Sequence, residues 1–291
     1  MRRIALACPF VAAAVCLFAC SSSTPSSPPQ DGGTGAGDAA EPATVDSIAD
    51  WSCLGKVKVP APEMATIPFD FGLADPFTGK VVKGATVKSC ARTDTACASP
   101  FETVVSDDLG FAAFKLPTGA AGFDGFFEVQ VGSEIPNLNY HGDAFSRKGA
   151  DQRLYWGDSQ LSTLFASSAV ARDPALATIG VQAHDCKESP GGVPCGSDPS
   201  CSTYIPGGVS FSIDVQDPKI VLGYIQSAGS ALVISTKATS TTALVGLAGF
   251  LNVPAGPITV TAKVAATGQI IGSYPMTARA GAMTLLVANA H

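Results

Sequence analysis

The chain has 291 residues, of which only 14% are charged, and its formal net charge is −6. No basic stripe runs through the sequence, and this excludes nucleic acid as an expected partner. Gly and Pro are frequent, with 30 and 21 residues, and Val, Thr, Phe and Ile recur in short runs. This composition predicts many short strands and an all-β fold.

The first residues have the pattern of an export signal. Arg2 and Arg3 precede an uncharged apolar run, Ile4 to Phe18, which is followed by Ala19 and Cys20. The run is too short to span a bilayer and has the length of a signal-peptide core. Its end resembles a bacterial lipobox, whose cysteine becomes the lipidated first residue. We predict a signal peptide at residues 1–19 and lipidation of Cys20; an ordinary secretory signal cleaved nearby is the alternative.

Ser, Pro, Gly, Asp and Ala make up nearly all of the segment after Cys20, which has no aromatic residue up to Pro42. Such a composition cannot bury a core, so residues 20–50 are predicted to form a disordered stalk. A lipid on this stalk would hold a folded body off a membrane. By analogy with Gram-negative lipoproteins, Ser21 after the lipidated cysteine indicates the outer membrane.

Six cysteines remain when the leader and the lipidated cysteine are set aside. An even number in an exported chain predicts disulfides. Two pairs would close short polar loops and the third would join the two halves, although six cysteines permit 15 connectivities. Zinc is the competing interpretation, but C-x-x-C is missing and only His184 lies near a cysteine, so we predict no metal. The predicted pairs are Cys90–Cys97, Cys195–Cys201 and Cys53–Cys186.

A short motif occurs once in each half of the chain. Residues 110–119 and 246–256 both contain Gly, apolar residues, Ala and Phe, followed by Pro-x-Gly. Alternating strand patterns follow each copy, from Phe126 to Val131 and from Ile258 to Val264. Each copy predicts a turn, a strand, a Pro-Gly turn and an antiparallel return strand.

Residues 75–87 read DPFTGKVVKGATV, and residues 107–111 read DDLGF. With the Pro-x-Gly turn, this order resembles the carboxypeptidase regulatory-like, or transthyretin-like, β-sandwich domain, from about Phe69 to Val131. From about Ile179 the match is looser. The resemblance implies two tandem prealbumin/Ig-like β-sandwiches, at residues 51–152 and 179–291, joined by a helical connector at 153–178. In carboxypeptidases this domain is an accessory, so it implies no peptidase activity.

The connector contains a helical pattern from Asp158 to Ala171. Four residues with the spacing i, i+3, i+4 and i+7 predict one buried face. Asp158 or Ser159 is the expected N-cap, and Asp173-Pro174 is expected to end the run. The residues of the predicted face are Leu161, Leu164, Phe165 and Ser168.

Gly157-Asp158-Ser159 resembles the start motif of a hydrolase family that pairs a nucleophilic serine with a distant Asp-x-x-His. No Asp-x-x-His occurs here, and G-x-S-x-G and H-E-x-x-H are also missing. We therefore expect no catalytic residue and no cofactor; an envelope serine hydrolase using Ser159 is an alternative function. Calcium at the acidic turn of Asp107 and Asp108 is a minor alternative.

Aromatic residues are the remaining binding candidates. If they are exposed, they could stack on sugar rings or anchor a protein partner; the other interpretation places them in the cores. We predict a lipid-anchored envelope protein with a non-catalytic binding, adhesion or structural role, whose partner is a surface protein or a glycan. A carbohydrate-binding surface module is another alternative. The candidate residues are Phe123, Phe126, Tyr140 and Trp156.

Overall fold

The structure, a computed structural model, describes residues 49–57, 61–186, 207–228, 231–242 and 246–290. The signal peptide, Cys20, most of the predicted stalk and the predicted Cys195–Cys201 pair lie outside these residues. Within them the fold is all-β with one short helix, as the composition predicts.

In the described residues, the first half contains seven strands and the second half contains eight, with one helix between them. The first-half strands are β1 (Thr66–Ala74), β2 (Thr86–Ala91), β3 (Glu102–Val105), β4 (Phe111–Pro117), β5 (Gly125–Gln130), β6 (Asn137–His141) and β7 (Gly149–Leu154). The helix is α1 (Asp158–Ser168). The second-half strands are β8 (Ala177–His184), β9 (Val209–Ile213), β10 (Val221–Ala228), β11 (Ala231–Ser235), β12 (Leu247–Val253), β13 (Gly256–Val264), β14 (Ile270–Ala278) and β15 (Met283–Asn289).

The described strands form three sheets. A central nine-stranded sheet has the order β11-β10-β12-β8-β15-β6-β5-β2-β3, and two three-stranded sheets have the orders β4-β1-β7 and β14-β13-β9. Neighbouring residues of a strand face opposite sides. Phe126 of β5 belongs to the core shared with β13 and β14, and Phe127 belongs to the core beneath β1 and β4. The small sheets therefore cover opposite faces of the central sheet.

The central sheet continues through both halves of the chain. β6 from the first half pairs in parallel with β15, and β15 pairs in parallel with β8. Backbone hydrogen bonds thus join the halves, in addition to the connector. The residue bounds given above for the two sandwiches stay a prediction, since the sheet is not interrupted at the connector.

The strands of the repeated motif are present, but the predicted antiparallel return is wrong. β4 pairs with β1, whereas β5 pairs with β2 and β6. Likewise β12 pairs with β10 and β8, whereas β13 pairs with β14 and β9. Each Pro-x-Gly turn carries the chain from one sheet to another. The alternation of apolar and polar residues cannot distinguish a hairpin within one sheet from a connection between two sheets, because the strand buries one face in both cases.

Helix α1 buries the predicted face of Leu161, Leu164, Phe165 and Ser168. It ends three residues before the predicted end, because Ala169 adopts a left-handed conformation with φ 57°. The predicted side-chain cap is wrong: Gly157 is the N-cap, with no side-chain hydrogen bond. Glu134, in a neighbouring loop, caps the helix instead: its Oε2 accepts a hydrogen bond from the Asp158 backbone N–H at 2.7 Å.

Two of the three predicted disulfides are present among the described residues. Cys53–Cys186 has a Cα–Cα distance of 5.7 Å, and Cys90–Cys97 has one of 5.4 Å. The first joins the start of the described chain to the residues just after β8. The second closes the loop between β2 and β3.

Candidate functional site

Three parallel strands define two ends of the body. Met283 of β15 pairs with Asn137 of β6 and Thr178 of β8, while Asn289 pairs with His184 of β8. The rise of about 3.3 Å per residue separates the two ends of β15 by roughly 20 Å. We call the end at His184 the entry end and the end at Met283 the distal end.

The chain reaches the body at the entry end. The Cys186 N–H donates to the Asp50 carbonyl at 2.8 Å, and the Asp50 N–H donates to Asp185 Oδ2 at 2.8 Å. The Cys53–Cys186 disulfide reinforces these bonds. They hold the segment after the predicted stalk against β8, which lies between β12 and β15 in the central sheet.

Arg92 joins the two halves at the entry end. Its guanidinium donates to Asp124 Oδ1 at 2.5 Å, to the Pro275 carbonyl at 2.9 Å and to the His141 carbonyl at 3.0 Å. It also lies 5.6 Å from the centre of the Tyr140 ring. Because Arg92 lies in the loop closed by Cys90–Cys97, the second disulfide also belongs to this end.

A cluster of polar side chains near the entry end lies between β7 and the central sheet. His141 Nε2 lies 3.8 Å from Asp151 Oδ2, which is 2.5 Å from the Arg153 guanidinium. Asn289 Nδ2 donates to Asp143 Oδ2 at 2.8 Å and lies 3.3 Å from His141 Nδ1. We call this cluster the polar seam; its members are His141, Asp143, Asp151, Arg153, His184 and Asn289.

Burial controls the charge states in the polar seam. It lowers the pKa of His141 well below the ordinary value, and the positive charge of Arg153 lowers it further. The same two causes lower the pKa of His184 to about 3. Burial raises the pKa of Asp151, and Arg153 opposes that effect. Both histidines are therefore neutral at pH 7.

The structure does not bring Ser159 to either described histidine. Ser159 begins α1 near the distal end, and its Oγ donates to Gln160 Oε1 at 2.8 Å. His141 and His184 lie at the entry end, and His291 lies outside the described residues. The motif Gly157-Asp158-Ser159 thus serves as a helix start within the part of the chain that the structure describes.

The four candidate binding aromatics require a correction. Phe123, Phe126, Tyr140 and Trp156 are at most 2% exposed, so none offers a surface for stacking. Phe126 and Tyr140 stack on each other inside the core, with ring centres 4.9 Å apart. Phe123 lies in the core beneath β1 and β4, and Trp156 packs against the buried face of α1.

The distal end exposes four large apolar side chains that the sequence analysis missed. Met64, Phe101 and Ile270 are also exposed, each at a different place on the body. Leu109 is 63% exposed, Val105 60%, Val81 47% and Phe77 40%. They lie together because Val81 pairs with Ala74 at the end of β1, and Gly110, next to Leu109, accepts a backbone hydrogen bond from Leu73. We call Phe77, Val81, Val105 and Leu109 the distal apolar patch.

Two aspartates fix the turns that carry this patch. Asp75 Oδ1 accepts hydrogen bonds from the N–H groups of Phe77 at 3.0 Å and Thr78 at 2.7 Å. Partial burial acts to raise the pKa of Asp75, but these bonds outweigh it and lower the pKa. Asp107 Oδ1 accepts from the N–H groups of Leu109 at 2.9 Å and Phe111 at 3.0 Å. The exposed side chains therefore stand on ordered turns.

The described residues contain no group of three His, Cys, Asp or Glu side chains placed to hold a metal ion. At the Asp107 turn, the carboxylate oxygen that the calcium alternative would use accepts backbone hydrogen bonds. Of the helices in the described ranges, none is long and apolar enough to cross a bilayer.

No protein-family model and no curated protein matches the chain. Three solved structures show a distant likeness, each with 10% sequence identity: the Bacillus anthracis TIE protein, the shaft pilin SpaA of Lactobacillus rhamnosus GG and the minor pilin GBS52 of Streptococcus agalactiae. The alignments cover 78%, 78% and 77% of this chain, and the TM-scores are 0.24, 0.22 and 0.22. The aligned part covers 34% of the TIE chain, 98% of SpaA and 95% of GBS52. TM-scores this low carry no argument, so the fold rests on the strand pairing described above.

Proposed function

We propose that this chain is a lipid-anchored cell-envelope protein that displays a non-catalytic binding or adhesion module on a stalk. The observation that carries the proposal is the difference between the two ends of the body. The segment following the predicted stalk is fastened at the entry end, and exposed apolar side chains stand at the distal end. A lipid on Cys20 would therefore be joined to the body at the end remote from the distal apolar patch.

The signal-peptide pattern, the cysteine at its end and the Ser- and Pro-rich segment after it support the anchor. The two disulfides support export, because such bonds persist in oxidising compartments. The outer membrane of a Gram-negative bacterium is the location that Ser21 favours.

The distal apolar patch supports a binding role. Apolar side chains that are grouped and held on ordered turns are typical of surfaces that contact another protein. A glycan partner has less support, because the four aromatic residues that would have stacked on sugar rings are buried. A protein partner is thus the stronger form of the proposal.

Labelling with radioactive palmitate tests the anchor in cells that produce the full chain. We expect the wild-type protein to incorporate label and Cys20→Ala to incorporate none. The leader cysteine offers a matched control, because Cys8→Ala should still be labelled. A wild-type protein without label, or label that persists in Cys20→Ala, would contradict the proposal.

A further inference from the structure

β7 is bound to the rest of the body mainly through polar groups. It lies at the edge of its three-stranded sheet, and among the described strands only β1 pairs with it. Of its six residues, only Arg153 is buried. On the opposite edge of the same sheet, β4 buries Ala112, Phe114 and Leu116. The two edges of one small sheet therefore contact the central sheet through different chemistry.

His141 lies at the centre of the groups that β7 contacts. It is 6% exposed, and its ring lies 4.4 Å from the ring of Phe145. Charged and titratable groups surround it from every neighbouring element: the loop after β2, the loop after β6, and strands β7, β8 and β14. These groups are Arg92, Asp143, Asp151, Arg153, His184 and Tyr274.

The groups around His141 stabilise its neutral imidazole better than its protonated form. Arg153 already pairs with Asp151, and Arg92 donates to the His141 carbonyl. A proton on His141 would add a buried positive charge beside two guanidinium groups. Asp151 Oδ2, at 3.8 Å from His141 Nε2, is too far for a strong hydrogen bond.

We propose that the polar seam is an acid-sensitive joint, at which protonation of His141 releases β7 from the central sheet and from its backbone pairing with β1 before the rest of the body unfolds. When the seam opens, water solvates the imidazole and its proton affinity returns to that of an exposed histidine. The closed state is then favoured above about pH 6.5 and is weakened as the pH falls below that value.

The expected size of the effect follows from proton linkage. One histidine that is neutral when closed and protonated when open raises the open fraction up to about tenfold for each unit of pH below about 6.5. His184 acts in the same direction to the extent that opening of the seam also solvates its ring, because burial and Arg153 lower its pKa to about 3. Asp151 acts in the opposite direction, because its raised pKa lets the closed state take up a proton on acidification.

Hydrogen exchange measured by mass spectrometry on the whole oxidised protein tests this joint. After correction for intrinsic exchange rates, we expect β7 to lose about fivefold in protection between pH 6.5 and 5.5, because about half of the open-state imidazole is already protonated at pH 6.5. β4, the matched edge strand, should keep its protection over the same range. Equal loss in β4 and β7, or full protection of β7 at pH 5.5, would overturn the proposal.

Two histidine variants show which histidine causes the pH dependence of hydrogen exchange in β7. His141→Gln should abolish most of the pH dependence of β7, and His184→Gln should leave most of it. The reverse order would overturn the assignment to His141. If His141→Gln does not fold, the ring protons of His141 in the wild-type protein give the same answer by NMR. They should keep the chemical shift of neutral imidazole until β7 loses protection, and protonation with β7 still protected would contradict the joint.

Discussion

The entry end and the distal end of the body are built in different ways. Both described disulfides and the Arg92 network lie at the entry end, where the Cys53–Cys186 disulfide and the hydrogen bond from Arg92 to the Pro275 carbonyl join segments from both halves. The distal end has short turns held by Asp75 and Asp107, with apolar side chains in solvent. One end is suited to hold the body to its tether, and the other leaves apolar surface available for contact.

Removing the disulfides at the entry end should give the largest loss of stability. Cys53→Ser with Cys186→Ser opens a link between residues 133 apart, and Cys90→Ser with Cys97→Ser opens one between residues only 7 apart. Chain entropy predicts losses of about 5 and about 2 kcal/mol in the free energy of unfolding. Urea denaturation of the two double variants measures both values. A larger loss for the short loop would contradict the importance given to the entry link.

Arg92→Met should have the next largest effect. The variant removes donors to Asp124, Pro275 and His141 and leaves the partly buried His141 carbonyl without one. We expect a loss of about 2 kcal/mol in the free energy of unfolding. Lys83→Met at the distal end is the control, since Lys83 forms only an exposed ion pair with Asp108 and should give no measurable change. Equal losses of unfolding free energy in the two variants would contradict the claim that the entry end is more strongly held than the distal end.

Asp107→Ala should give the smallest loss of stability, and the increase in amide exchange should be confined to the distal end. It removes the acceptor for the N–H groups of Leu109 and Phe111, so we expect about 1 kcal/mol of destabilisation. The neighbouring Asp108→Ala is the matched control, because that side chain is 96% exposed. Thermal unfolding and exchange of the Leu109 amide measure the effect. An unchanged exchange rate in Asp107→Ala would show that the carboxylate does not order the turn.

The entry end was easier to predict from sequence than the distal end. Cysteine pairing there follows from the even count and, for Cys90–Cys97, from the length of a short loop. Loop length is a local signal. Exposure of Leu109 is not, because an apolar residue in a turn can point inward or outward depending on which sheet lies opposite.

The sequence analysis did not predict features that depend on packing between sheets or on pairing between the two halves of the chain. The burial of Tyr140 and Trp156 depends on sheets that pack from elsewhere in the chain, and residue type alone does not reveal it. The parallel pairing of β6 with β15 joins strands from opposite halves, so no turn motif specifies it. The polar seam was missed for the same reason, since His141, Arg153 and His184 are brought together only by the packing of β6, β7 and β8.

Energy transfer to labelled lipids tests most directly whether the entry end is the tethered end. The lipidated chain, carrying one fluorescent amino acid, is placed in vesicles that contain acceptor lipids. Ser52 at the entry end and Leu109 at the distal end are both exposed and serve as the two labelling positions. Higher transfer from Ser52 than from Leu109, with neither signal in Cys20→Ala, is the predicted result. Equal transfer from both positions, or higher transfer from Leu109, would contradict display of the body from its entry end.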